Sequence, residues 1–484
     1  MMFVPAFLGV FLTTCLQGEP RPIAVLVQPP AGLADQFGEW AVAMSNKRLI
    51  VGAHLANKVF VFAETPDGEW IHESTVTPPG GETNVSFGLG ADINGDRLLV
   101  GAPEFGPQNP FGFFVGRAFL FSRIGDGWEW TGDIYSPETP YTAIGRSVAL
   151  SSVRAIVRAQ TGVHWSYQIG AAGGLEPESV YFPPQDGPQF GGPYVLDTDN
   201  DNVVFTFLSA SGNGQNAGLG TFENGIWELN TNLGMPSFGG GPNRPVAMWN
   251  DRFVVAGLSD VHIFRRGVAD WKLAETIVGQ GQFGFAVGLS GSYLAVGAPG
   301  LQSVFMYQLL GDLAVPLFQV TVPEQNFGAH LALDGDRLAV VTPYSGGGGI
   351  VRIYRVESDC DQDGTTDLEA IAKGSVADCD HDGAPDSCQI SAGDPDCDRD
   401  GVLDQCELAA ASETDFDNDG TIDRCQCLAD VDGSGVVTGA DLAFILATWG
   451  TAGALVPAAD IDRSGLVDGV DLALLLGAWG PCPE

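Results

Sequence analysis

Along residues 23–356 short apolar strands alternate with polar turns in one order, repeated seven times. A Phe-Gly dipeptide opens the repeat at Phe37-Gly38, Phe87-Gly88, Phe190-Gly191, Phe238-Gly239, Phe283-Gly284 and Phe327-Gly328, and Ile144-Gly145 fills the one gap. The spacings are 50, 57, 46, 48, 45 and 44 residues. A short alternating strand follows, as in Phe285 to Leu289, and then a tight turn such as Asn46-Lys47, Asn94-Gly95-Asp96, Asn250-Asp251, Ser290-Gly291 or Asp334-Gly335-Asp336. Next comes an apolar strand, as in Leu98-Leu99-Val100-Gly101-Ala102-Pro103 and Leu294-Ala295-Val296-Gly297-Ala298-Pro299. A third strand is aromatic (Val59-Phe60-Val61-Phe62, Ala118-Phe119-Leu120-Phe121, Val304-Phe305-Met306-Tyr307), and a fourth often begins at Trp, as at Trp70, Trp128, Trp227 and Trp271. Period-2 alternation with Gly/Asn/Asp turns predicts hairpins. Four strands in about 45 residues predict a propeller blade. The unbroken apolar second strand is expected to be covered on both faces, near the central axis.

The ends of the array predict closure. The seventh repeat stops after its third strand, Val351 to Val356. A spare strand, Ile23 to Val27, precedes the first Phe-Gly and is similar to the fourth strand Leu317 to Val322. Seven blades closed by residues 23–27 would leave no unpaired edge in the ring.

From residue 359 the period shortens to 18–19 residues and the pattern becomes Asp-x-Asp-x-Asp-Gly-x-x-Asp. Its four copies place carboxylates at Asp359, Asp361, Asp363 and Asp367; at Asp378, Asp380, Asp382 and Asp386; at Asp396, Asp398, Asp400 and Asp404; and at Asp415, Asp417, Asp419 and Asp423. A loop turned by Gly at its sixth position points side chains 1, 3, 5 and 9 at one centre, and hard carboxylate oxygens suit Ca2+. One copy would read equally as a solvated acidic linker; four in register point to calcium. The cysteines keep the same register. Joining each early Cys to the late Cys of the next unit pairs Cys360 with Cys388, Cys379 with Cys406 and Cys397 with Cys425, one of the 15 connectivities that six cysteines allow.

Two longer loops follow, 30 residues apart. The first offers Asp430, Asp432, Ser434, Asp441 and the Val436 carbonyl; the second offers Asp460, Asp462, Ser464, Asp468, Asp471 and the Leu466 carbonyl. These fit positions 1, 3, 5, 7, 9 and 12 of a calcium loop. With four carboxylates against three, the second loop is expected to bind more tightly. Each loop runs into a predicted short helix, with Leu442, Ile445, Leu446 and Trp449, then Leu472, Leu475, Leu476 and Trp479, on one face. Both tryptophans are expected in a shared core. Cys427 and Cys482 are expected to clasp the ends.

Charge sharpens this division. The whole chain carries −38, and residues 359–484 hold 28 acidic and 4 basic residues, a net of −24. Such a surface repels nucleic acid and anionic membrane and attracts cations. Eight of nine cysteines lie in this quarter, which points to disulfides and an oxidising compartment. Residues 3–12 form an apolar run too short to span a bilayer, and they suit a signal peptide although no positive segment precedes them. The expected organisation is a signal peptide over 1–18, a propeller over 19–357, acidic calcium repeats over 358–426 and a paired-loop domain over 427–484. Secretion or cell-surface display follows, with no transmembrane segment.

The repeat resembles the bacterial FG-GAP family, on its Phe-Gly, its Val-Gly-Ala-Pro and its aromatic strand. That resemblance implies a propeller with an extracellular binding or adhesion role. Integrin-type members carry a calcium loop in the first turn; here Asp92, Asn94 and Asp96 lack its later Gly and Asp, so plain hairpins are expected. Residues 358–426 look like thrombospondin type 3 repeats, which are calcium-wired with little core. Residues 428–480 resemble a dockerin, a paired EF-hand module that binds calcium and docks to a partner. Its recognition pair is usually polar, but here it is Gly439-Ala440 and Gly469-Val470. The fold expected is mainly β: a seven-bladed propeller, a calcium-bound, disulfide-linked acidic stalk and a small α-helical dockerin-like domain. The function expected is binding of a protein or glycan by the propeller, with the tail as stalk and docking module. No zinc spacing, Gly-x-Ser-x-Gly, phosphate loop or catalytic carboxylate pair stands out, so no enzyme is expected. Propellers do host active sites at the funnel mouth. A secreted propeller hydrolase or lyase with a dockerin-like anchor is therefore the alternative.

Overall fold

The computed structural model describes residues 21–29, 36–108, 114–135, 143–159, 164–170, 174–181, 196–199, 202–208, 214–223, 226–230, 238–239, 245–257, 259–267, 271–343, 348–356, 360–361, 365–381, 383–397, 399–410, 412–413, 422, 427–432, 434–456 and 458–482. The leader, Phe190-Gly191 and the fourth acidic unit apart from Ile422 lie outside them.

Seven antiparallel sheets surround one axis, as the repeat predicts: blades 1 to 6 over 42–76, 91–134, 147–181, 196–230, 246–278 and 286–321, and blade 7 over 330–355. The N-terminal strand Ala24–Val27 completes blade 7 by pairing antiparallel with Ile350–Arg355, Ala24 opposite Ile353 and Val27 opposite Ile350. The spare strand therefore closes the ring.

The strand at the axis is the first of each blade, not the apolar second. First strands pack side by side round the axis. Second strands such as Arg97–Ala102 and Tyr293–Ala298 are buried because the sheets on either side cover both their faces. The core is a ring of inter-blade clusters. One joins Phe37, Leu49 and Phe60 of blade 1 to Val341 and Ile353 of blade 7; another joins Val59 and Val61 of blade 1 to Phe87 and Leu98 of blade 2.

Packing explains why Phe-Gly and the aromatic strand occur together. Phe37, Phe87, Ile144, Phe283 and Phe327 are all buried. Phe87 lies edge-on to Phe121 at 6.1 Å, Phe37 to Phe60 at 5.6 Å and Phe283 to Phe305 at 5.5 Å, each on the third strand of its own blade. A buried Phe contributes about 2–3 kcal/mol, and an aromatic pair ~1 kcal/mol more. The glycine is set by close approach. Gly145 has φ +96°, and its carbonyl oxygen lies 1.7 Å from where a Cβ on Gly101 of blade 2 would stand. Glycine at both places is what lets neighbouring blades touch through backbone. Phe238-Gly239 departs from the pattern. It is extended and pairs with Gly214-Gln215 on the third strand of blade 4.

Past the propeller each described acidic unit runs into a short helix: α1 (Asp367–Ala372), α2 (Asp386–Ala392) and α3 (Asp404–Ala409). Two longer helices, α4 (Gly439–Ala447) and α5 (Gly469–Gly477), follow the paired loops and pack together. Among the described residues no helix is long and apolar enough to cross a membrane. The acidic segment does not hang free. Asp394 forms an ion pair with Arg265 of blade 5 at 2.7 Å. Asp367 accepts from Gln308 of blade 6 at 2.9 Å, and Leu310 packs on Ala384 and Cys388.

Candidate functional site

In the acidic units the side chain at position 9 both starts the helix and closes the loop. Asp367, Asp386 and Asp404 each accept the N–H of the residue at position 2, Cys360, Cys379 and Cys397, at 2.9 Å. Gly383 and Gly401 donate back to the first aspartates, Asp378 at 3.2 Å and Asp396 at 3.1 Å. In the second unit Asp378, Asp380 and Asp386 bring one carboxylate oxygen each within 4.8 Å of one another. Burial holds the Asp386 carboxyl above its ordinary value, with the Cys379 N–H opposing and Asp380 adding. Asp361 and Asp400 are exposed. Asp359, Asp363, Asp382, Asp398, Asp415, Asp417, Asp419 and Asp423 lie outside the described residues.

Cysteines sit at disulfide distance in the offset arrangement, Cys360 with Cys388 (Cα–Cα 6.2 Å) and Cys379 with Cys406 (6.1 Å). Cys427 and Cys482 clasp the final module at 5.4 Å. Cys425, the expected partner of Cys397, lies outside the described residues.

The paired loops repeat one hydrogen-bond scheme. Asp441 accepts from Asp432 N–H (3.1 Å) and from Thr438 N–H (2.8 Å). Asp471 accepts from Asp462 (3.2 Å) and Asp468 (2.7 Å). Position 12 thus supplies a capping box for α4 and α5 while drawing the loop shut. Gly435 donates to Asp430 at 2.5 Å and Gly465 to Asp460 at 3.0 Å. Ser434 and Ser464 hydroxyls donate to the Val436 and Leu466 carbonyls. Burial acts upward on the Asp430 carboxyl, but the Gly435 and Ser434 N–H groups outweigh it and hold it below its ordinary value. Asp441 is likewise held low by Thr438 and Asp432 against burial, and Asp462 by Ser464.

These donors fit a hard divalent cation. Asp430, Asp432 and Asp441 place carboxylate oxygens within 4.8 Å of one another. In the second loop Asp460 is buried, and its Oδ1 has no hydrogen-bond partner. A buried carboxylate oxygen left without a donor is costly, and an oxygen-ligated cation would satisfy it.

The tryptophans are not core. Trp449 is 48% and Trp479 51% exposed, because α4 ends at Ala447 and α5 at Gly477, before either residue. The module's core is Ile445 and Leu475 with Ile461 and Val467, while Phe444, Leu446 and Leu476 also face outward.

On the propeller axis the first strands enclose a cavity of about 520 Å³. Its aspartates staple neighbouring blades. Asp92 accepts from Leu150 N–H of blade 3 (2.7 Å), Asp197 from Met248 N–H of blade 5 (2.8 Å), and Asp334 from Asn46 and Lys47 of blade 1. Ser45 and Ser290 do the same for Gly95 and Gly335. Burial pushes the Asp92 carboxyl up to about 6 against its two N–H donors. Sequence reasoning missed these staples; the one available signal was an acid or serine inside an otherwise apolar first strand.

No protein-family model matches the chain. A search of curated proteins returns no match. Among solved structures the chain is similar to Sqt1 of Saccharomyces cerevisiae, with 12% identity, a TM-score of 0.41, and coverage of 70% of this chain and 100% of that one. It is similar to a functionally unknown protein from Desulfotomaculum acetoxidans, with 14% identity, a TM-score of 0.42, and coverage of 64% and 99%. It is also similar to BamB from Moraxella catarrhalis, with 10% identity, a TM-score of 0.37, and coverage of 67% and 84%.

Proposed function

We propose that this propeller is a binding scaffold in a secreted or cell-surface protein, and that its tail is held in shape by Ca2+. The observation that carries the calcium reading is the second paired loop, where Asp460 keeps a buried oxygen without a donor beside a capped Asp471. The first loop shares its hydrogen-bond scheme, and the cysteine pairing suits an oxidising compartment. On this reading Asp430, Asp432, Asp441 and the Val436 carbonyl hold one ion, and Asp460, Asp462, Asp471 and the Leu466 carbonyl hold another. The acidic units, similar to thrombospondin type 3 repeats, hold the rest. The seated segment around α2 makes the near end a brace rather than a free stalk. The dockerin-like module leaves Phe444, Leu446, Trp449, Leu476 and Trp479 exposed, which supports a docking role. The hydrolase alternative is less favoured because the axial carboxylates Asp92, Asp197 and Asp334 are engaged by backbone donors. Melting the intact chain in calcium and in chelator tests the reading. The tail is expected to be stabilised by about 2.7 kcal/mol for each bound ion at one hundred times its dissociation constant, with the propeller transition nearly still. Superimposable curves would overturn it.

A further inference from the structure

Seen along its axis, the propeller has two unlike ends. The hairpins within each blade, including Leu310-Gly311-Asp312-Leu313, form the end on which the acidic segment sits. The Phe-Gly turns and the loops after the second strands form the opposite end, away from that contact. At that end a cavity of about 230 Å³ opens between blades 6, 7 and 1.

Its lining has a consistent chemistry. Phe285, 45% exposed, offers a bare aromatic face, and Pro299 and Pro343 add apolar wall. Gln282 and Asn326 stand at equivalent places just before the Phe-Gly dipeptides of blades 6 and 7 and contribute carboxamides. His330 is kept neutral, since burial lowers it to about 4. Among the described residues Glu39 supplies the one carboxylate, whose Oε2 is enclosed without a hydrogen-bond donor. Among the described residues no Lys or Arg lines the cavity, so they offer nothing with which to pair an anion. One carboxylate is too few for a calcium ion, which takes 6–8 oxygens. Trp40, next in sequence to Glu39, and Leu301 of blade 6 are exposed at the same end. The volume is below the roughly 300–1,000 Å³ of drug-sized sites, which limits the occupant to about one ring.

We propose that this cavity binds one ring of a neutral carbohydrate, with Phe285 under the apolar face of the sugar and Glu39, Gln282 and Asn326 on its hydroxyls. A sugar has the alternation the cavity asks for: C–H faces for an aromatic platform and hydroxyls that both donate to a carboxylate and accept from carboxamides. The proposal rests on the reading of the propeller as a binding scaffold and names what this end of it takes.

The test uses the intact, calcium-loaded chain. Glucose, galactose, mannose and short neutral glucans are titrated one at a time by calorimetry and saturation-transfer NMR, with tetramethylammonium as the competing chemistry. Saturable binding of at least one saccharide is expected. Phe285→Ala and Glu39→Gln should each weaken it about tenfold or more, and Leu313→Ala, at the other end, should not. Circular dichroism confirms that each variant folds. Absence of saturable binding by every saccharide, binding unchanged in both variants, or preference for tetramethylammonium would each overturn the proposal. A protein ligand that both variants still bind would leave the scaffold reading standing and remove this one.

Discussion

Replacing Arg265 with alanine takes away the guanidinium 2.7 Å from Asp394. The Asp394 side chain is only 4% exposed and its Oδ2 has no partner, so loss of Arg265 leaves Oδ1 bare as well. Breaking a buried pair from one side costs about 3–5 kcal/mol if the remaining charge stays buried. The chain has a second route, lifting the segment around α2 off blades 5 and 6. That route exposes Leu310 at about 2 kcal/mol and gives up the Gln308–Asp367 hydrogen bond at about 1 kcal/mol. The routes are nearly equal, so a loss of about 3 kcal/mol is expected either way, and much of the variant population carries an undocked tail. Limited proteolysis within residues 384–410 and small-angle scattering read the undocking. A double-mutant cycle with Asp394→Leu should return a coupling of at least about 2 kcal/mol. Proteolysis rates and dimensions identical to wild type, with coupling under about 0.5 kcal/mol, would refute the docked arrangement.

Gly101→Ala forces a Cβ onto the Gly145 carbonyl oxygen. A cost of about 3 kcal/mol, spread over a propeller of this size at about 2.1 cal/mol/K per residue, lowers its Tm by about 4 °C in calorimetry. An unchanged Tm would mean the blades are not in backbone contact there. Asp92 is raised to about 6 in the folded state, so folding binds its proton more tightly than the unfolded chain does, and its contribution rises as pH falls from 7.5 to 4. The gain is at most about 3 kcal/mol, less because the residue keeps part of its surface open to the central cavity. Denaturation at several pH values should show wild type gaining on Asp92→Asn over that range; parallel profiles would contradict this. Peptide mapping without reduction should recover Cys360 bound to Cys388, Cys379 to Cys406 and Cys397 to Cys425, and a Cys379–Cys388 peptide would break the offset scheme.

The blades were legible because each repeats its own signals. Phe87 packs on Phe121 of its own blade and Gly101 meets Gly145 of the next blade, so each signal is tied to a contact that recurs at a fixed spacing. Closure was legible from the count of strands at the two ends. The cysteine register pointed to the offset pairing because pairing within units would strand Cys360 and Cys425, and Cys360 with Cys388 and Cys379 with Cys406 lie at disulfide distance. The axial staples were not legible, since Asp92 and Asp197 find their partners 58 and 51 residues away, in another blade. Helices α1 to α3 were missed because a six- or seven-residue helix carries no amphipathic period. Trp449 and Trp479 fit the helical period, but the helices stop two residues before them. Docking of the acidic segment rests on Arg265 and Asp394, 129 residues apart, which no local pattern marks.

The most direct test of the account is a calcium titration of the intact, oxidised chain by isothermal calorimetry after chelator treatment, with native mass spectrometry to count the ions. Saturable uptake of several ions is predicted, up to one for each of the four acidic units and two paired loops. Asp460→Ala combined with Asp471→Ala should reduce the count by one. No heat beyond dilution and no bound ion at millimolar calcium would contradict the account at its centre.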